Sequence, residues 1–241
     1  MSFSKSGYLA LLAAFAERGY AIRSFFDAEP SKPHLILRHD VDISVAKAAE
    51  LAELERSAGA KSIYFVLLRT ELYNVMSASD LASLKAIQES GHEIGLHFDA
   101  SLYDGDEQAL ENSVGHEAEI LERIVGTKVR AISFHRPAKT LIGGRDQIAG
   151  RMNAYGERFT KDIGYCSDSQ GNWRFGEPLE QPCVREHRAL QLLTHPFWWT
   201  GGEEEPADRL DRFIAARQQF MDEELARQCA VHKPGRRGRP N

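Results

Sequence analysis

Within LILRHDVD (residues 35–42), an apolar run breaks into His39, Asp40, Val41 and Asp42. An isolated carboxylate is costly to bury, so two of them at the end of an apolar strand imply a compensating partner or chemistry. In extended backbone Asp40 and Asp42 project to one side. Both can serve one site, Asp42 binding a cation and Asp40 left free as a base. Taken alone, the segment also reads as a strand end with solvated acids. Three later stretches repeat the pattern: HEIGLHFD (92–99) carries His97 and Asp99, VRAISFHR (129–136) ends in His135 and Arg136, and LQLLTHPFWW (190–199) carries His195.

Asp and His with an open position are the ligand types of a catalytic divalent metal. Asp42 and His97 are the best pair. His135, at the next strand end, is the first choice of third ligand and Asp99 the second. His92, five residues before His97, begins its strand and points the other way. With Asp42 on the metal, Asp40 is free to take a proton from metal-bound water. Arg136 is expected to hold Asp40 ionised by charge-assisted hydrogen bonding, and Asp168 is a candidate partner for Arg136. His195 is the natural general acid for a leaving group. Trp173, Phe197, Trp198 and Trp199 are candidates for a sugar-stacking wall, although large aromatics are commonly core.

Positioning these groups requires strands that end together. Apolar strands are expected at 35–42, 61–68, 92–99, 129–136 and 190–199, with a shorter one at 20–26. Helices are expected at 8–16, 44–57, 80–90, 106–125, 147–159 and 208–225. Tyr8, Leu11, Leu12 and Phe15 share one face of the first; Leu81, Leu84 and Ile87 are inward in the third; Leu210, Phe213, Ile214 and Met221 are inward in the last. Strand and helix alternate over the first half, which implies parallel strands in a βα-barrel or open α/β sheet. In such folds chemistry collects at the C-terminal strand ends, where the unusual polar residues lie.

The chain has 241 residues, a formal net charge of −5 and a 42 % apolar composition, the profile of an ordinary globular protein. The charge gives no reason to expect nucleic acid as partner. Three cysteines without a CxxC exclude a disulfide scaffold and a cysteine zinc site. No run of about 20 apolar residues is present, so no transmembrane helix is expected. Residues 8–16 lack a clear cleavage site and are interrupted by Glu17 and Arg18, so they read as an amphipathic helix and the protein as cytoplasmic. GxGxxG, P-loop, GxSxG and HExxH motifs are absent. The organisation expected is an N-terminal helix and lead-in over 1–30, a single barrel domain over 31–228, and a basic, disordered tail over 229–241.

From residue 35 to 199 the chain resembles the polysaccharide deacetylases with a NodB-type domain, carbohydrate esterase family 4. HDVD (39–42) resembles the first motif of that family, GHEIGLHFD (91–99) the second, FHRP (134–137) the third, SDSQGNW (167–173) a loose fourth and LLTHP (192–196) the last. The resemblance implies a distorted (β/α) barrel, one divalent metal ion (zinc, with cobalt or nickel as alternatives), and removal of acetyl groups from an N-acetylated sugar. It implies Asp40 as base, Asp42 and His97 as ligands, Arg136 contacting the base and His195 as acid, with Asp99, Trp173 and Trp198 on the substrate side. One departure stands out. The second metal histidine of the family falls on Ser101 here. The expected substrate is a glycan precursor in cell-surface glycan biosynthesis. The alternatives are a C–N hydrolase of a small amide metabolite and a non-catalytic barrel that binds a glycan or partner.

Overall fold

The structure is a computed structural model that describes residues 2–103 and 106–234. It divides into two compact units, Met1–Gly202 and Glu203–Asn241. In the first unit the elements run α1 (Lys5–Glu17), β1 (Ala21–Ile22), β2 (His34–Val41), α2 (Val45–Ser57), β3 (Ile63–Leu67), α3 (Ala78–Glu89), β4 (Glu93–Phe98), α4 (Glu107–Val125) and β5 (Ala131–Phe134). They continue with β6 (Gln147–Ile148), β7 (Arg151–Asn153), β8 (Gly164–Ser167), α5 (Pro182–Arg185), β9 (Leu190–Thr194) and α6 (Pro196–Trp199). The second unit holds α7 (Pro206–Gln228).

The strands lie in the order β6-β7-β5-β4-β3-β2-β9-β8, with β1 beside the start of β2. All pairs are parallel except β6 with β7. β6 and β8 end the path without meeting, which makes the architecture a distorted (β/α) barrel. The strands are buried on both faces, as parallel strands covered by helices must be.

Strand parity sorts side chains between two environments. Val41 joins a core that α2, α3 and α4 pack against the outside of the sheet, with Tyr64, Leu96, Val114 and Leu121. Ile36 joins Phe25, Phe65, Ala131 and Phe159 in the barrel interior. Gly95 serves this interior: a Cβ there would lie 2.5 Å from the Phe65 ring. Arg38 and Asp40 share the interior parity of Ile36, which turns them toward the mouth of the barrel.

On the outer side, His39 is tied into a buried polar cluster. Its Nε2 lies 2.9 Å from Glu55 Oε1 and its Nδ1 2.7 Å from Thr194 Oγ1. Glu55 also accepts from Tyr8, Ser62 and Tyr64 at 2.5, 2.6 and 2.8 Å. His92 joins at Ser62 Oγ (3.0 Å) and at the Ala52 carbonyl (2.9 Å), on the side away from His97 as its spacing predicts. Burial alone would raise the Glu55 carboxyl, but the facing His39 brings it down to about 2. The cluster fastens α1, α2 and β3 to the back of the strand that carries Asp40.

Three sequence expectations change. The first half of the helix expected at 147–159 is the β6–β7 hairpin, because Ala149 (φ 50°) and Gly150 (φ 71°) form its turn, and helical backbone begins only at Arg158–Asp162. In α3, Leu84 and Ile87 are buried while Leu81 is exposed. In α7, Leu210, Ile214 and Met221 are exposed, while Phe213 is half-buried. Of the expected tail, residues 235–241 lie outside the described residues.

Candidate metal centre and catalytic groups

Asp42, just beyond β2, His97, near the end of β4, and His135, just beyond β5, converge. His97 Nε2 lies 3.2 Å from Asp42 Oδ1, His135 Nδ1 lies 3.5 Å from the same oxygen, and the two nitrogens are 3.3 Å apart. Zinc ligands about 2.0–2.1 Å from a tetrahedral ion stand roughly 3.3–3.4 Å from each other. The trio already has that spacing. Asp42 Oδ1 is buried without a hydrogen-bond donor, the mark of an atom placed for a cation. Burial acts to raise the Asp42 carboxyl, and the two histidines hold it well below the usual carboxylate range. His97 Nδ1 lies 3.3 Å from the Ser133 carbonyl. That contact puts the proton on Nδ1 and leaves the Nε2 lone pair facing Asp42.

His135 fits with one adjustment. Arg136 Nε donates to His135 Nε2 at 2.7 Å, so the neutral ring carries its proton on Nδ1. Offering a lone pair from Nδ1 requires the proton on Nε2 and release of this Arg136 contact. The remaining candidate ligand, Asp99, does not join the trio. It caps the short turn Ala100–Leu102, accepting from Ser101 N at 3.0 Å and Ser101 Oγ at 2.5 Å. Ser101 is thus engaged with Asp99 and does not line the cavity that holds the trio.

Asp40 sits beside the trio, 2 % exposed, with its Oδ2 3.8 Å from His97 Nε2. Its partner is Arg38, not Arg136. Arg38 Nη2 donates to Asp40 Oδ2 at 2.8 Å and to Ser133 Oγ at 2.6 Å, and Ser133 Oγ lies 3.3 Å from both Asp40 oxygens. The Arg38 guanidinium is held by Gln191 Oε1 at 3.0 Å and lies over the Tyr155 ring, 4.5 Å from its centroid. Burial opposes ionisation of Asp40, but Arg38 holds its carboxyl below the usual range. Arg136 cannot take this place. It follows Ser133 and His135 on the opposite parity, at φ 46°, and its side chain is exposed beside His135.

Asp168 likewise serves a different partner from the one expected. It is fully buried and takes His195 Nδ1 at 2.6 Å, the His195 backbone N–H at 3.0 Å and Trp199 Nε1 at 2.7 Å. His195 Nε2 is left facing the cavity, 3.7 Å from Asp42 Oδ2. Burial pulls the His195 imidazole down, and Asp168 more than reverses this, raising it to about 9. At neutral pH the site therefore presents an ionised Asp40 and a protonated His195.

A cavity of about 430 Å³ opens over these groups, and Phe134, Tyr155, Phe197 and Trp198 form its aromatic lining. Trp173 is not in that lining; it packs on Phe3 and Trp199. The residues missed from sequence are Arg38, Ser133 and Tyr155. Arg38 carried a signal: an arginine inside an apolar strand, two residues before Asp40 and on its face, must be paired to be buried.

No family model and no curated protein matches the chain. Among solved structures it is similar to a deacetylase of Streptococcus pyogenes, with 14 % identity over 86 % of this chain and 85 % of that one and a TM-score of 0.45. It is also similar to a family 4 acetyl xylan esterase of Clostridium thermocellum in complex with cobalt, with 15 % identity over 77 % and 84 % and a TM-score of 0.41. A third is a CE4 family pseudoenzyme of Bacillus anthracis, with 17 % identity over 78 % and 61 % and a TM-score of 0.41.

Proposed function

We propose that this protein is a metal-dependent hydrolase that removes the acetyl group from an N-acetylated sugar. The observation that carries the reading is the ligand spacing of Asp42, His97 and His135 beside two opposed proton-transfer groups. Asp42, His97 and His135 would hold one divalent cation. Bound there, the cation supplies Lewis acidity, acidifying water and polarising the amide carbonyl.

The chain's own residues do the rest. Asp40, kept anionic by Arg38 and Ser133, accepts a proton from the attacking water. His195, kept protonated by Asp168, donates its Nε2 proton to the departing amine nitrogen as the C–N bond breaks. Asp168 fixes the imidazole so that this proton faces the cavity, and Trp199 fixes Asp168. Trp198 and Phe197 offer apolar faces to a sugar ring.

Elemental analysis of the purified protein tests the first half. Near one equivalent of zinc, cobalt or nickel in the wild type, lost in D42A and H97A and retained in D99A, is the expected result. Acetate release from N-acetylglucosamine oligomers tests the second half, with activity lost in D40N and H195A at full metal content. No bound metal after reconstitution, or turnover undiminished in D40N, would overturn the reading.

A further inference from the structure

Since Arg38 neutralises Asp40, the arginine of the FHRP segment is free for another task. Arg136 lines the cavity over the catalytic groups, and so does Arg174. Both are exposed, and neither has a carboxylate partner among the described residues. Arg136 is engaged only through Nε, to His135, and Arg174 only through a 3.4 Å contact from Nη1 to Gln170 Oε1. Most of both guanidinium forks is thus open to a ligand. The two acids in the same lining are already engaged, Asp40 by Arg38 at 2.8 Å and Asp42 by the cation it would hold with His97 and His135. Ile43 and Ser44, which lead into α2, also line the cavity, so the positive end of that helix dipole adds to the same field. Excess positive charge without a protein counter-charge, on planar forks matched to oxygen pairs, is the chemistry of oxyanion recognition.

We infer that the Arg136–Arg174 side of the cavity is an oxyanion subsite, and that the substrate is an acetylated sugar bearing a phosphate or carboxylate group. The inference rests on the deacetylase reading for the sugar, but the subsite is read by binding alone. A neutral glycan would leave both arginines unused. A sugar phosphate or an acidic sugar would place its anion on them and its acetamide between Asp40 and His195.

The test is calorimetric binding to metal-loaded protein of N-acetylglucosamine 1-phosphate, N-acetylmuramic acid and neutral N-acetylglucosamine. One or both anionic sugars should bind about tenfold or more tightly than the neutral one, and which of them does so tells phosphate from carboxylate. R174Q should erase most of that advantage while leaving the affinity for the neutral sugar unchanged. R123Q, on the exposed face of α4, should change none of the three affinities. Equal affinities in the wild type would overturn the subsite. So would an anion preference that persists in R136Q/R174Q at full metal content, since the anion would then sit on the cation alone. Acetate release from neutral oligomers, measured in parallel, judges the deacetylase reading separately. Anion binding without any acetate release leaves the subsite standing and fails that reading, and the reverse pattern does the opposite.

Discussion

Replacing Arg38 by methionine removes the arginine bonded to Asp40, together with the guanidinium that lies over Phe65 and Tyr155, and keeps an unbranched apolar side chain in its place. Arg38 is fully buried and Asp40 is 2 % exposed, so solvent cannot take over the lost contact. Breaking one side of a buried ion pair costs about 3–5 kcal/mol, because the remaining charge stays desolvated. We expect R38M to lose that much stability, measured by urea unfolding of metal-free protein at pH 7. The loss must depend on pH with a definite sign. In the wild type the depressed Asp40 carboxyl contributes stability that is present above its unfolded value and lost as pH falls through the folded one. In R38M the strongest lowering influence is gone and burial works against only His97 and His195, so Asp40 is raised relative to the wild type and protonation relieves the penalty. The gap between the two proteins should therefore shrink from pH 7 toward pH 4. R38M/D40N, which removes both charges, should recover most of the loss. A penalty under about 1 kcal/mol, or one unchanged with pH, would refute the claim that Arg38 is the counter-charge of Asp40.

Three further outcomes follow from the same geometry. With His195 raised to about 9 by Asp168, its protonated form and its share of stability persist at neutral pH and are lost as pH rises through 9; in D168N the alkaline limb of the acetate-release profile should move down by more than one pH unit. Glu55 is depressed to about 2, so its contribution of roughly 3 kcal/mol should vanish as pH falls from 4.5 to 2, and thermal unfolding of E55Q should lack this acid dependence. Trp198→Ala should raise KM, whereas Trp173→Ala, whose ring packs on Phe3 and Trp199 outside the cavity lining, should lower Tm and leave KM unchanged.

Much of the site was legible because strand ends and parity are local properties. LILRHDVD places Asp40 and Asp42 on one side of β2, and GHEIGLH and FHRP bring His97 and His135 to neighbouring strand ends, so the choice of His135 over Asp99 agrees with the geometry found. The partners of the acids were not legible, because they are settled by pairing between strands distant in sequence. Arg38 meets Ser133 across 95 residues and Gln191 across 153. Asp168 meets His195 because β8 pairs with β9, and nothing within SDSQGNW announces that pairing. The segment 147–159 failed for a related reason: its apolar spacing suits a helix, while the Ala149–Gly150 turn that makes its first half a hairpin depends on two positive φ angles.

The two-sided polarity of β2 bears on how the barrel reaches its native pairing. In most buried strands a slip of one residue is penalised because it drives apolar side chains toward water. β2 carries Arg38 and Asp40 on one face and His39 on the other, all buried, so hydrophobicity alone discriminates poorly between its native alignment and a slipped one. Discrimination must come from charge matching. A slip would carry His39 away from Glu55 and Arg38 away from Gln191 and Ser133, stranding several desolvated groups together. The cluster behind the sheet thus acts as a key that admits one alignment of the central strand. Loosening it at Glu55 should produce misaligned, aggregation-prone chains during refolding before it changes any distance in the native site.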